Sequence, residues 1–240
     1  MRTTHRPVRS VAAVAVAASL MLGAAACGSD SDGAASASAD KVESTTTMEM
    51  GTDSGSTDVA SNSPASGLRS TLTAGLTEHV YLAGIAVYSA VNVPDDFDAA
   101  AATLDENSVA LSEAITSVYG EDAGDAFLEL WRAHIGMFVD YTNAKAAGDD
   151  KAAQAAQDEL ADYGVEFGDF IEGANPNLPS EAIQASLQEH VKTLSAAIDA
   201  TVAGDADAFS DLRVAAGHMS MTAEALAGGI SQQMPEKFGN

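Results

Sequence analysis

Three short segments of this chain coincide when it is slid along itself, and no other feature constrains the fold as much. Leu76-Thr77-Glu78-His79-Val80 overlays Trp131-Arg132-Ala133-His134-Ile135 at a shift of 55 residues, and Leu187-Gln188-Glu189-His190-Val191 after a further 56. Close to the same shifts lie Pro94-Asp95, Gly148-Asp149 and Gly204-Asp205, each about fifteen residues beyond a histidine. Each of these pairs reads as a helix stop followed by an acidic helix start. Asn175-Pro176-Asn177-Leu178-Pro179 falls in register with Ser231-Gln232-Gln233-Met234-Pro235, and Val118-Tyr119-Gly120 lies near the matching point of the first copy. A period of this size with two helical stretches per unit marks a repeat of helix hairpins.

Within each copy, apolar residues recur every three or four positions, the spacing of an amphipathic helix. Leu72, Leu76, His79, Ala83 and Ala86 share one face; so do Phe127, Trp131, His134, Phe138 and Tyr141, and so do Ile183, Leu187, His190, Leu194 and Ala197. Nothing reads as a strand. The expectation is an all-α domain of three tandem αα-hairpins, with helices over 68–92, 96–118, 122–147, 150–173, 180–203 and 206–233. The hairpins either stack as a short α-solenoid or close into a six-helix bundle. Three copies are few for a solenoid, and closure hides more apolar face per residue, so the bundle is preferred.

The repeats occupy residues 68–240. Residues 28–67 contain no aromatic residue and almost no large aliphatic one, so they cannot bury enough surface to offset the entropy of ordering. Together with Cys27 they read as a tether. The full chain of 240 residues carries 11 Lys+Arg against 35 Asp+Glu, a formal net charge of −24. Such acidity argues against a nucleic-acid partner, because a phosphate backbone calls for a basic face. A single cysteine excludes an internal disulfide framework and any multi-cysteine metal site.

That cysteine has a particular setting. Arg2, Arg6 and Arg9 precede every acidic residue, and Val11 to Ala26 is an uncharged, mostly apolar run of 16 residues. A basic start, an apolar run of this length and small residues at its end make residues 1–26 a secretory signal peptide. The run is short for a membrane-spanning helix, which takes about 20 apolar residues. Ala24-Ala25-Ala26-Cys27-Gly28 resembles the lipobox of bacterial lipoproteins, with Ala24 where leucine is usual. The resemblance implies cleavage before Cys27, acylation of its thiol, and a domain held by lipid on the outer face of the cell membrane. Two or more acyl chains make such an anchor stable. The repeated Glu-His-Val/Ile segments also resemble those of all-helical bacterial envelope proteins. That likeness bears on the fold and not on chemistry.

The mature chain would keep four histidines. His79, His134 and His190 hold one register position on the apolar face of the three first helices. Imidazole is the commonest protein metal ligand. If the first helices converge, three imidazoles meet around one ion, copper or zinc. His218, with Asp162 and Asn107 at its equivalent positions, would complete the set. Met221 shares a helical face with His218, and a soft sulfur beside imidazole suits copper. Glu78 and Glu189 adjoin two of the histidines but point about 100° away, at the rim. The alternative is that duplication copied a helix-packing histidine, and that the domain is a structural or assembly module of the envelope binding a protein partner without a metal. No paired Glu-x-x-His, HExxH, GxSxG or phosphate-binding glycine loop occurs, so enzymatic function is not expected.

Overall fold

The computed structural model describes residues 63–238. The expected signal peptide, Cys27 and the tether up to residue 62 lie outside the described residues. Six long helices follow one another: α1 (Pro64–Asn92), α2 (Phe97–Tyr119), α3 (Glu121–Ala147), α4 (Asp150–Ala174), α5 (Ser180–Ala203) and α6 (Ala208–Gln233). A short α7 (Pro235–Phe238) ends the domain, and Pro94–Asp96 forms a single 3₁₀ turn between α1 and α2. There is no strand among the described residues.

The repeat register sets these boundaries. Gly148 and Gly204 close α3 and α5 in the left-handed conformation, with φ of 71° and 69°, and each returns its N–H to carbonyls of the last turn. Glycine adopts that backbone without the penalty a Cβ brings. The first copy places Val93 at this register and ends α1 with the proline behind it. Asp149 caps α4, its Oδ1 accepting the N–H of Ala152 at 3.0 Å. The domain starts earlier than its composition implies: α1 begins at Pro64 rather than 68. Ser63 accepts the N–H of Ser66 at 3.2 Å, and Pro64 enters the helix with φ already set. Residues 64–67 belong to the helix although they carry no large apolar side chain.

The packing is a closed bundle. Sequential helices are neighbours all the way round, and α1 packs along α6 to close the ring. The first helices of the hairpins, α1, α3 and α5, also touch one another, so they form the inner set while α2, α4 and α6 lie outside. The core contains Leu72, Leu76 and Val80 from α1, Phe127, Trp131 and Phe138 from α3, and Ile183, Leu194 and Ile198 from α5. The three copies share register but not volume: the second supplies Phe127, Trp131, Tyr163 and Phe167, where the others place smaller side chains. Phe127 stacks on Trp131 along α3 at 5.0 Å between centroids.

One end of the bundle carries a polar clasp. The Tyr119 hydroxyl donates to Gln233 Oε1 at 2.9 Å and accepts from Asn175 Nδ2 at 3.1 Å, and Gln233 Nε2 donates to the Ala174 carbonyl at 2.8 Å. Tyr119, Asn175 and Gln233 come from the ends of the three hairpins. Asn175 is 1% exposed and also accepts the N–H of Asn177, turning the chain toward α5. No helix among the described residues is long and apolar enough to cross a membrane.

Candidate functional site

His79, His134 and His190 sit midway along α1, α3 and α5, on the sides that face one another. They are 2%, 3% and 4% exposed. Ring centroids lie 5.5 Å apart for His79 and His134 and 6.5 Å for His134 and His190. Trp131 wedges against both His79, at 4.8 Å, and His134, at 4.6 Å. Tyr163 of α4 stacks on His134 at 5.2 Å, and Phe138 meets the edges of His134 and His190. The three repeat-related imidazoles therefore form one buried cluster inside an aromatic shell.

Burial decides their charge. Removal from water penalises the protonated ring, and neighbouring imidazoles add to the penalty. Burial, then His190, pulls His79 down to about 3, against a small opposing effect of Asn107. His134, flanked by both of the others, is held well below its ordinary value by burial first and its neighbours second. His190 is drawn down to about 4 by burial and then by His218. All three are neutral at pH 7, with a lone pair on one nitrogen of each ring. Desolvation, and Glu166 after it, pushes the Tyr163 hydroxyl far above its usual range, so it stays a neutral donor.

The cluster is short of partners. The Nδ1 atoms of His79, His134 and His190, Trp131 Nε1 and the Tyr163 hydroxyl have no hydrogen-bond partner among the described residues. Each such orphan costs about 1–3 kcal/mol when buried. Metal–nitrogen bonds of about 2.0–2.1 Å put two imidazole centroids roughly 5–6 Å apart around a shared ion. The first pair meets that spacing, and the second exceeds it by a few tenths of an ångström. As placed, no three His, Cys, Asp or Glu side chains among the described residues could hold an ion.

The remaining sequence-predicted ligands fall elsewhere. His218 is half-buried, and its Nε2 lies 3.1 Å from the Ser186 carbonyl. Asn107 Nδ2 donates to the Gly75 carbonyl at 3.1 Å and to Glu78 Oε2 at 2.9 Å. Gly75 and Ser186 are the same repeat position, four residues before the histidine. The 107/218 register thus ties an outer helix to an inner one. Asp162 is exposed and does not join the cluster; as a carboxylate it has no hydrogen to give to a carbonyl. Met221 is 60% exposed, and it is Met219, 4% exposed, that turns inward. Glu189 pairs with Lys192 at the surface.

Tyr163 carries no signal of its own in the sequence, and Met221 rather than Met219 was the thioether expected beside the histidines. Tyr163 and Met219 lie on the register that pairs them and Ser108 with the three histidines at a constant offset, and all three are buried. An apolar cavity of about 70 Å³ opens beside the cluster, with Trp131, His134, His190 and Met219 in its wall. No family model, curated protein or solved structure matches the chain.

Proposed function

We propose that this chain is an extracytoplasmic lipoprotein, anchored through Cys27, whose helical domain binds a transition-metal ion of the copper or zinc class at His79, His134 and His190. One observation carries the proposal: three repeat-equivalent imidazoles, neutral and buried, lie side by side with an unpartnered nitrogen on each. Neutral imidazoles need no deprotonation before they ligate at pH 7. A shared ion would satisfy nitrogens that nothing else among the described residues satisfies. Met219 supplies a soft sulfur near by, which favours copper in the cuprous state. His218, bonded to the Ser186 carbonyl, serves as a packing residue in this reading.

The test is metal content and competitive copper(I) titration of the purified domain. Wild type is expected to retain close to one ion per chain, and His79→Ala, His134→Ala and His190→Ala each to lose it. Asn107→Ala, Met221→Ala and Asp162→Ala are expected to retain it. Absence of bound metal, and of any copper- or zinc-induced rise in melting temperature, would exclude the ion. The anchor is tested separately by mass spectrometry of the membrane fraction, where an unmodified Cys27 thiol would exclude it.

A second reading, an envelope assembly module that binds a protein partner, is favoured by one surface feature. Tyr81, Ile85 and Tyr88 form an exposed stripe on α1, continued by Phe209, which is 67% exposed and 5.9 Å from the Tyr88 ring. A complex recovered by crosslinking that survives the histidine changes and is lost in Tyr88→Ser/Phe209→Ser would favour it over the ion.

A further inference from the structure

The cavity beside the histidines is distinctive because its wall is polar at one place only. Leu72, Leu111, Phe127, Phe167, Leu226 and Ile230 make up much of its lining. Away from the histidine cluster and Trp131, whose Nε1 has no partner among the described residues, four lining residues carry polar atoms, and these are paired off. The Tyr119 hydroxyl and Asn175 bond to each other at 3.1 Å, and the hydroxyls of Ser186 and Thr222 bond at 2.7 Å. His134 and His190, also in the wall, keep Nδ1 without a partner. A buried water needs two to four polar partners, and an apolar cavity that offers fewer stays dry and accepts apolar guests. The volume of about 70 Å³ is roughly half of the ~150 Å³ cavity that accepts benzene, so it suits a guest of about two or three heavy atoms.

We propose that this axial cavity is the seat of a small uncharged guest, a diatomic or triatomic molecule, that lies along the apolar wall and meets the histidine cluster at its one polar end. The guest's binding partner there is the ion proposed above, so this part of the inference rests on that reading. His79 does not line the cavity. An ion shared by the three rings would therefore be shielded by His79 on one side and open to the guest on the side of His134 and His190.

Two probes separate the cavity from the ion. Xenon, monitored by methyl NMR on metal-free protein, tests the cavity alone. Saturable shifts are expected at the methyls of Met219, Leu72 and Leu226, and not at the exposed Met221. Leu76→Trp should abolish them: Leu76 lines the cavity, and its repeat equivalent is already Trp131, so the register accommodates the larger ring. Leu187→Trp repeats the filling from the third copy, and circular dichroism checks each variant's fold. Carbon monoxide on copper(I)-loaded protein tests the guest at the ion. An infrared carbonyl band is expected in wild type and should be lost in a filled variant that still retains copper. No xenon shift in wild type, or undiminished shifts in a folded filled variant, overturns the inference. Retained copper without a carbonyl band overturns the ion-facing guest and leaves the ion standing. Xenon shifts without retained copper exclude the ion and leave the cavity standing.

Discussion

A histidine kept neutral by burial makes the folded state sensitive to acid. His79 and His190 drop to about 3 and about 4 in the folded domain, from about 6.5 when unfolded, and His134 drops with them. Below pH 6.5 the unfolded chain takes up protons that the native cluster refuses. Their contribution is therefore fully present above about pH 6.5 and is lost as pH falls from there toward about 4. Each histidine contributes a slope of about 1.4 kcal/mol per pH unit within that window. Urea denaturation of metal-free protein between pH 6.5 and 4 should show the slope fall by about that amount in His134→Gln; an unchanged slope would mean that His134 is already charged in the fold. Asn107→Ala should cost about 1–3 kcal/mol at neutral pH, because it removes a buried tie between α1 and α2. The shared register of the three histidines was legible in the sequence because duplication holds register; their proximity was not, since register became proximity only once the ring closed. The inward turn of Met219 was less legible than that register. His218 and Met221 sit three apart, which suggests a shared face, but the buried stripe of α6 runs through Ala216, Met219, Ala223, Ala227 and Ile230, one residue off that line.

At the scale of elements, the glycines inside helices separate two effects that oppose each other. Alanine is favoured over glycine in a helix interior by about 1 kcal/mol. At Gly136 a Cβ meets nothing within 4 Å, so Gly136→Ala should stabilise by about 0.5–1 kcal/mol. At Gly168 it would stand 2.9 Å from the Ser180 carbonyl oxygen and 2.7 Å from its hydroxyl. Backbone cannot withdraw as a side-chain tip can, so Gly168→Ala should destabilise by about 1–3 kcal/mol. Thermal melts of the pair check both signs, and two stabilised variants would show that α4 and α5 separate more easily than their packing implies. Helix ends were the most legible elements, because Gly148, Gly204, Asp149 and Pro94 each act through local backbone chemistry. The start of α1 was not, since Ser63-Pro64 caps a first turn whose side chains are too small to register as apolar. The 3₁₀ turn at Pro94 and the helix Pro235–Phe238 were likewise too short to impose a period.

For the molecule as a whole, charge and closure set the behaviour. Against a net charge of −24 stand exposed ion pairs such as Arg69–Glu224 and Arg132–Asp105, worth about 0–1 kcal/mol each. Repulsion outweighs them. The melting temperature should thus rise as salt shortens the screening length from about 30 Å at 0.01 M to about 8 Å at 0.15 M. A falling melting temperature would mean that the ion pairs dominate. A solenoid cut after its second repeat would keep the first two, since its stability is close to a sum of neighbours. Here α1 loses its partner α6, and the histidine cluster loses His190. Removing residues 177–240 should therefore abolish cooperative unfolding by circular dichroism. The sequence left closure open, because each hairpin's apolar face is equally suited to a stack; what decides is that α1 and α6 present matching faces 140 residues apart. Closure also means that the ring has no privileged first hairpin. Its connectivity is that of three hairpins joined end to end into a ring, each supplying one imidazole to the buried cluster. A chain opened at Pro176 and rejoined between Phe238 and Ser63 should therefore still bring the three imidazoles together.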